Sequence, residues 1–282
     1  MNRNTRGFTL TELLVATIVM GILGVALTGI LVNDSRFVSK VEAMMSARQA
    51  ARAAMNVMGT ELQMVSGGGL IAATRTDIRV RAPYAFGTLC DRRWDGSRWI
   101  RYAVLVPTDS LWYKTAQANG LAWRGRSGDY TFMGVGGVGS APDERSNFCT
   151  DSGIRLPDAT YDGQFLRMRI TDDTLVVGDV FYLYQDVRYR FSTSVDVEGR
   201  LGLWRLRSGD SWYELLAPFD PASEFRFYVA ASDTSRIGPP ADLTTVTGLE
   251  LRLVGASEVT PMGSAGPPAF EIRTRVNFLN GR

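Results

Sequence analysis

The stretch GFTLTELLVATIVMGILGVALTGILV, residues 7–32, decides the architecture of this chain. From Phe8 to Val32 it contains a single charged residue, Glu12. As an α-helix, residues 8–32 span about 37 Å, which is long enough to cross a bilayer with some tilt. The sequence therefore predicts a membrane-spanning helix over residues 8–32.

The residues in front of this helix are polar and basic. Residues 1–7 include Arg3 and Arg6 but no acid, which places this end in the cytoplasm by the positive-inside rule. A secretory signal peptide is one alternative, but its apolar region is shorter and Ala26-Leu27-Thr28 is a poor cleavage site. A plain signal anchor is another. Neither alternative explains Glu12, since an ionisable group inside a membrane segment indicates a function.

The nine residues GFTLTELLV, at positions 7–15, resemble the prepilin signature of type IV pilins and type II secretion pseudopilins. The resemblance implies that residues 1–7 are a leader peptide. It implies that a prepilin peptidase cleaves after Gly7 and methylates the new amine of Phe8, and that Glu12 pairs with the N-terminal amine of a neighbouring subunit. The implied partners are other pilin or pseudopilin subunits, the peptidase, the inner-membrane assembly platform and the lipid bilayer.

The role implied for Glu12 has a physical basis. A carboxylate in a low-dielectric environment is tolerated when a cation meets it, and the pair sets register because other alignments leave the acid unpaired. The position of Glu12 in the first helical turn also suits the helix dipole.

Residues 33–66 continue the helix with one apolar stripe. The spacing alternates between four and three, with Arg48 as the single break, and Ser66–Gly69 ends the helix. One helix of roughly 58 residues is therefore predicted, apolar all round in its first half and amphipathic in its second. The stripe packs either in a coiled-coil dimer or on the protein's own sheet, and we prefer the sheet. Its residues are Phe37, Val41, Met44, Ala51, Met55, Met58, Leu62 and Val65.

Residues 67–282 change to an alternating pattern. Apolar and charged residues alternate in the runs 188–191, 224–229, 249–253 and 272–278. Strands with one buried and one wet face indicate antiparallel sheet. We predict an extracytoplasmic β-rich domain over residues 67–282, and an α+β pilin fold in which the long helix packs on that sheet.

Weaker signals complete this domain. Glu198-Gly199 predicts a hairpin turn, and Ile100 to Val106 predicts a strand. Between about 107 and 160, Gly, Ser, Asp and Asn predict a loop-rich insertion. Cys90 and Cys149 form one disulfide if the domain is exported, which stabilises the fold by about 4 kcal/mol in the chain-entropy model, and are unrelated buried thiols if it is cytosolic.

The C-terminal part, roughly residues 160–280, loosely resembles the PilW-type minor pilins and the type II secretion pseudopilin J. The similar features are a strand, the hairpin at Gly199-Arg200-Leu201, the aromatic strand Phe225-Arg226-Phe227-Tyr228 and the ending at 275–280. This resemblance implies a minor subunit.

Composition removes several kinds of active site. The chain has no histidine, which excludes Ser-His-Asp and Cys-His catalysis and histidine metal sites. Asp172-Asp173, Asp179 and Asp186 lack the spacing of a calcium loop. Gly134 to Gly139 fits G-x-G-x-x-G, but no convincing helix follows to meet a pyrophosphate. We predict no metal, no cofactor and no enzymatic activity.

The predicted function is structural: assembly or priming of a type IV pilus or type II secretion pseudopilus. The alternative is a filament-borne adhesin or DNA-uptake receptor, with a ligand-binding face in residues 70–160. DNA is the weaker partner, because the net charge is only +2 and the Trp and Arg residues form no cluster in the sequence. A membrane-anchored or secreted enzyme is a third class. We expect a single-pass protein of the bacterial inner membrane, with its domain in the periplasm or at the cell surface.

Overall fold

The long N-terminal helix, α1, extends from Leu10 to Leu62 in this computed structural model. The structure describes residues 9–134, 138–141, 149, 165–169, 174–230, 232–261 and 263–279. Among them α1 is the one helix long and apolar enough to cross a membrane, by length and composition. The predicted single helix is confirmed, and it ends a few residues before Gly68, whose positive φ of 78° suits glycine.

The remaining elements are mostly strands. A short helix, α2, spans Asp109–Thr115, and a 3₁₀ turn spans Leu243–Thr245. The strands, in chain order, are β1 Leu70–Ala73, β2 Asp77–Trp94, β3 Trp99–Leu105, β4 Gly120–Arg124, β5 Tyr130–Gly134, β6 Val138–Ser140, β7 Phe165–Arg169, β8 Val180–Thr193, β9 Leu201–Arg207, β10 Tyr213–Phe219, β11 Glu224–Val229, β12 Arg236–Ile237, β13 Val246–Ala256 and β14 Ala269–Asn277.

These strands form one 14-stranded antiparallel sheet, in the order β12-β11-β13-β10-β9-β8-β2-β3-β7-β6. In addition, β14 pairs with β13, β1 with β2, and β4 with both β5 and β8. The predicted α+β fold is confirmed. The predicted strands at 188–191, 224–229, 249–253 and 272–278 are also confirmed, and they correspond to β8, β11, β13 and β14.

The face of α1 that packs on the sheet differs in part from the predicted stripe. Met58, Leu62 and Val65 are buried as predicted, but Phe37 is 66% exposed. Ala51 is also buried as predicted, and the rest of the contact is made largely by alanines outside the predicted stripe, namely Ala43, Ala47, Ala50 and Ala54. Gly255 of β13 explains this choice, since a Cβ there would lie 2.1 Å from the carbonyl oxygen of Ala47. The helix backbone therefore touches the sheet backbone, which only small residues permit.

A loop-rich insertion is predicted at about 107–160, and the described part of that segment contains four short elements. α2, β4, β5 and β6 lie there, and β4 joins the sheet by pairing with β8 from Gly120↔Tyr184 to Trp123↔Phe181. The elements are short and glycine-containing, so their sequence shows no periodicity. Trp123 is nevertheless 1% exposed, because its cross-strand neighbours bury it.

In the described residues the sheet carries two large apolar cores and two smaller clusters. The first contains the inner face of α1 together with residues such as Ile78, Val187 and Leu251. The second contains Leu89, Trp123, Phe181 and other residues, but no residue of α1. The long strands β2 and β8 run through both, so the second core continues the sheet beyond the C-terminal end of the helix.

Candidate functional site

The N-terminal end of α1 is the site that the sequence predicts. Gly7 and Phe8, the predicted cleavage and methylation residues, lie outside the described residues. Glu12 lies in the first turn of α1, where its carboxylate accepts hydrogen bonds from the backbone N–H and the hydroxyl of Thr9, both at 2.9 Å. The Glu12 N–H donates in return to the Thr9 hydroxyl at 3.3 Å.

This reciprocal arrangement is a capping box, which the sequence analysis missed. It satisfies two backbone donors that the start of a helix otherwise leaves without partners. The signal was present as Thr9-Leu10-Thr11-Glu12, which fits the S/T-x-x-E pattern. Glu12 therefore stabilises the start of its own helix in the isolated chain.

The first half of α1 is apolar and makes no packing contact with the described part of the domain. Every residue from Thr9 to Val38 is exposed, although nearly all of those from Leu13 to Val32 are apolar or small. An apolar surface of this length marks a site that contacts lipid or other protein. Such a surface suits a segment that passes from a bilayer into a bundle of like helices.

The second half of α1 is fixed to the sheet by a polar contact as well as by its alanines. The Glu61 carboxylate accepts hydrogen bonds from the Tyr189 hydroxyl and, at 3.0 Å, from Arg207, and Arg205 lies 3.8 Å away. Burial raises the pKa of Tyr189, and the adjacent Glu61 raises it further, so the phenol keeps its proton and donates. The contact orients α1 relative to the domain.

The predicted cysteine pair is joined. Cys90 and Cys149 form a disulfide whose Cα atoms are 5.1 Å apart. Cys90 is 2% exposed and packs with Ile100, Tyr102 and Phe165 in a small third cluster next to the second core. The bond lies far along β2 from α1, so it belongs to the domain and not to the N-terminal site.

The acidic and glycine-rich motifs form no site in the described residues. Asp186 pairs with Arg79, and Asp179 caps a turn by accepting from the N–H of Val176, while Asp172 and Asp173 lie outside the described residues. Within the described ranges, no three Asp, Glu or Cys side chains lie close enough to hold a metal. Gly134 ends β5 and Gly139 lies in β6, so neither precedes one of the two described helices.

Comparison with known protein families identifies one match. Residues 2–28 match the family model of the prokaryotic N-terminal methylation motif. No curated protein sequence and no solved structure shows significant similarity to the chain. The match covers the segment that contains Gly7, Phe8 and Glu12, and it supports a type IV pilin-like protein that is processed by a prepilin peptidase and anchored in a membrane by one helix.

Proposed function

We propose that this chain is a minor pilin or pseudopilin. A prepilin peptidase removes residues 1–7 and methylates Phe8, and the mature subunit then joins or primes a type IV pilus or type II secretion pseudopilus. The observation that carries the proposal is the methylation motif at residues 2–28, placed directly on an exposed apolar helix.

Glu12 supports the proposal through its electrostatics. Within the described chain, the Glu12 carboxylate accepts hydrogen bonds from the backbone N–H and the hydroxyl of Thr9. No cation of the described residues pairs with it. A carboxylate in the hydrocarbon region is costly without a cation, and an α-amino group on a neighbouring helix supplies one. Cleavage after Gly7 would create such an amine at Phe8, four residues before the acid.

The proposed orientation rests on the basic residues in front of the apolar segment. Arg3 and Arg6 hold the N-terminal end in the cytoplasm, so the β-sheet domain stands outside the inner membrane, in the periplasm or on a filament. The assembly platform in that membrane is the partner that would extract the subunit. The exposed length of α1 up to Val38 would then be covered by neighbouring helices.

A minor position in the filament is supported by the size of the domain. The second core extends the sheet well beyond the end of α1. A subunit with so long a domain is suited to the end of a filament, where nothing is stacked above it, more than to repeated positions along the shaft.

Mass spectrometry of the mature chain tests the proposal. The full-length protein is produced with and without an active prepilin peptidase, and its N-terminal peptide is sequenced. We expect a chain that begins at Phe8 and carries one additional methyl group, found only when the peptidase is present. An intact Gly7–Phe8 bond would overturn the proposal, and a start near residue 29 would indicate a secretory signal peptide instead.

A further inference from the structure

The β2–β3 hairpin lies at the end of β2 that is distant from α1. Arg81 of β2 lies beside the segment that follows α1, where its N–H donates to the carbonyl of Gly69 at 2.8 Å. It then continues through the second core to Trp94, which is thirteen residues further along and therefore about 40 Å away. Residues 92–98 are all exposed. The tip of the hairpin is therefore open to solvent.

The turn of this hairpin is held in one conformation. The Asp95 carboxylate accepts hydrogen bonds from the N–H of Ser97, the hydroxyl of Ser97 and the N–H of Arg98, each at 2.9 Å. Gly96 supplies the positive φ of 96° that the turn requires. Because the turn is closed by its own hydrogen bonds, its side chains are presented without a large ordering cost on binding.

Two tryptophans face each other across the strands beside this turn. Trp94 pairs directly with Trp99, with ring centroids 5.4 Å apart at an interplanar angle of 65°. The guanidinium of Arg92 lies 5.2 Å from the Trp99 ring and covers one of its faces. Trp94 remains 55% exposed. The indole of Trp94 is thus held against Trp99 and still exposed to a ligand.

The charged residues around the indoles are mixed in sign. Arg98 pairs with Asp95 at 3.7 Å, and Arg93 pairs with Asp91 at 3.4 Å. Hydrogen bonds from the Ser97 and Arg98 backbone and from the Ser97 hydroxyl lower the pKa of Asp95 to about 2, so the carboxylate at the tip is charged at neutral pH. The hairpin offers both donors and acceptors next to an aromatic surface.

Exposed tryptophan can contact three kinds of ligand: nucleobases, which stack on the ring, and lipids and sugars, which pack against it. A nucleic acid backbone needs a cationic track, whereas two aspartates offset three arginines here. A lipid surface would have to accept the charged Asp95 at the leading tip, which is costly. A pyranose ring has a C–H face that packs on an indole and hydroxyls that pair with carboxylate and guanidinium groups.

We infer that the Trp94–Trp99 hairpin is a saccharide-binding site. The C–H face of a sugar ring packs on the exposed indole of Trp94, while Asp95 and Arg98 hydrogen-bond its hydroxyls. The site is carried by the domain and does not depend on processing of the N-terminus.

Binding of the full-length protein to two glycans tests this inference. The protein, in a zwitterionic detergent that has no sugar headgroup, is mixed with peptidoglycan sacculi or with crosslinked dextran beads and sedimented. We expect retention on at least one of them. Trp94→Ala should weaken that retention about tenfold or more, and Trp94→Tyr should keep most of it. Trp112→Ala is the matched control, because Trp112 is 60% exposed on α2, outside the hairpin.

Several outcomes would overturn the inference. One is the absence of retention on both glycans, and another is equal retention of the Trp94→Ala variant and the wild type. Binding of an oligothymidylate, or of phosphatidylglycerol–phosphatidylethanolamine vesicles, that Trp94→Ala abolishes would assign the hairpin to nucleic acid or lipid instead. The mature N-terminus is measured on the same preparations, so failure here is distinguishable from failure of the pilin proposal.

Discussion

At the scale of single residues, the carboxylate of Glu12 takes part in two interactions, one within its own chain and one in the proposed filament. Within its own chain it closes the capping box with Thr9. In the proposed filament it also pairs with the amine of a neighbouring subunit, where two helices come together in lipid. A carboxylate has acceptor sites for both, so the capping box holds the acid in place at the helix start while its remaining lone pairs face a neighbour.

Variants of these two residues separate the two roles. Glu12→Ala should still be cleaved after Gly7 but should be absent from sheared filaments, because it leaves the neighbouring amine uncompensated in low dielectric, at a cost of about 3–5 kcal/mol. Thr9→Ala removes the cap at a cost of about 1 kcal/mol and should still assemble. Immunoblots of the filament fraction measure both. Assembly of Glu12→Ala at wild-type levels would show that inter-subunit pairing is not its role.

Glu61 is the second residue whose substitution has a defined consequence. Glu61→Ala leaves the Tyr189 hydroxyl and the Arg205 and Arg207 guanidinium groups without their acid in a largely buried position. We expect the free energy of unfolding to fall by about 2–3 kcal/mol. Glu42→Ala, on an exposed part of the same helix, should change it by less than about 0.5 kcal/mol. Denaturant unfolding followed by circular dichroism compares them, and equal stability of the two variants would contradict the anchoring role.

At the scale of elements, the contact between α1 and β13 depends on one glycine. Gly255→Ala places a methyl group 2.1 Å from the Ala47 carbonyl oxygen and 3.1 Å from the Ala51 nitrogen, so the helix has to move away from the sheet. We expect a loss of about 1–3 kcal/mol and a lower thermal midpoint. Gly59→Ala, with open space around it, should be neutral or stabilising by up to about 1 kcal/mol. If both substitutions have the same effect, the close contact is not what fixes the helix.

This contact also shows why sequence periodicity predicted the packed face of α1 only in part. Hydrophobicity favours large side chains, so the pattern selected Phe37 along with Met58 and Leu62. The observed face uses alanines because the sheet backbone comes close, and the residue that permits this, Gly255, is about two hundred positions away. No local pattern in the helix contains that information.

The same distinction between local and distant residues applies to the candidate sites. Glu12 and the predicted cleavage residues form one continuous motif, which a single sequence makes recognisable. The partners of Glu61 lie at Tyr189, Arg205 and Arg207, on two strands that only the folded sheet brings to the helix. The strands between residues 107 and 141 were missed for a related reason. β4 pairs with β8, β5 pairs with β4, and β6 pairs with β7, so they are ordered by these partners and not by their own propensity.

At the scale of the whole molecule, the two large apolar cores lie in different parts of the sheet and support different surfaces. The first core holds the second half of α1, whose exposed first half would make the proposed membrane and filament contacts. The second core contains Ala85 and Leu89 of β2, the strand that continues to the β2–β3 hairpin. β2 and β8 pair along their length from Asp77↔Arg190 to Thr88↔Val180, and so connect the two mechanically. A subunit built in this way is able to place a rigid surface well beyond the helix that anchors it.

The disulfide belongs to the far end of this arrangement, so its removal should affect the two ends differently. Cys90–Cys149 closes a loop with a sequence separation of 59, for which the chain-entropy model gives about 4 kcal/mol. We expect a Cys90→Ala/Cys149→Ala variant to unfold at lower temperature, with amide exchange accelerated most in β3 and β7, next to Cys90. Reductant should shift the wild type similarly and leave the double variant unchanged. Cleavage after Gly7 should be unaffected in both, because α1 packs in the other core. A wild type whose thermal midpoint does not respond to reductant would contradict a stabilising role for the bond.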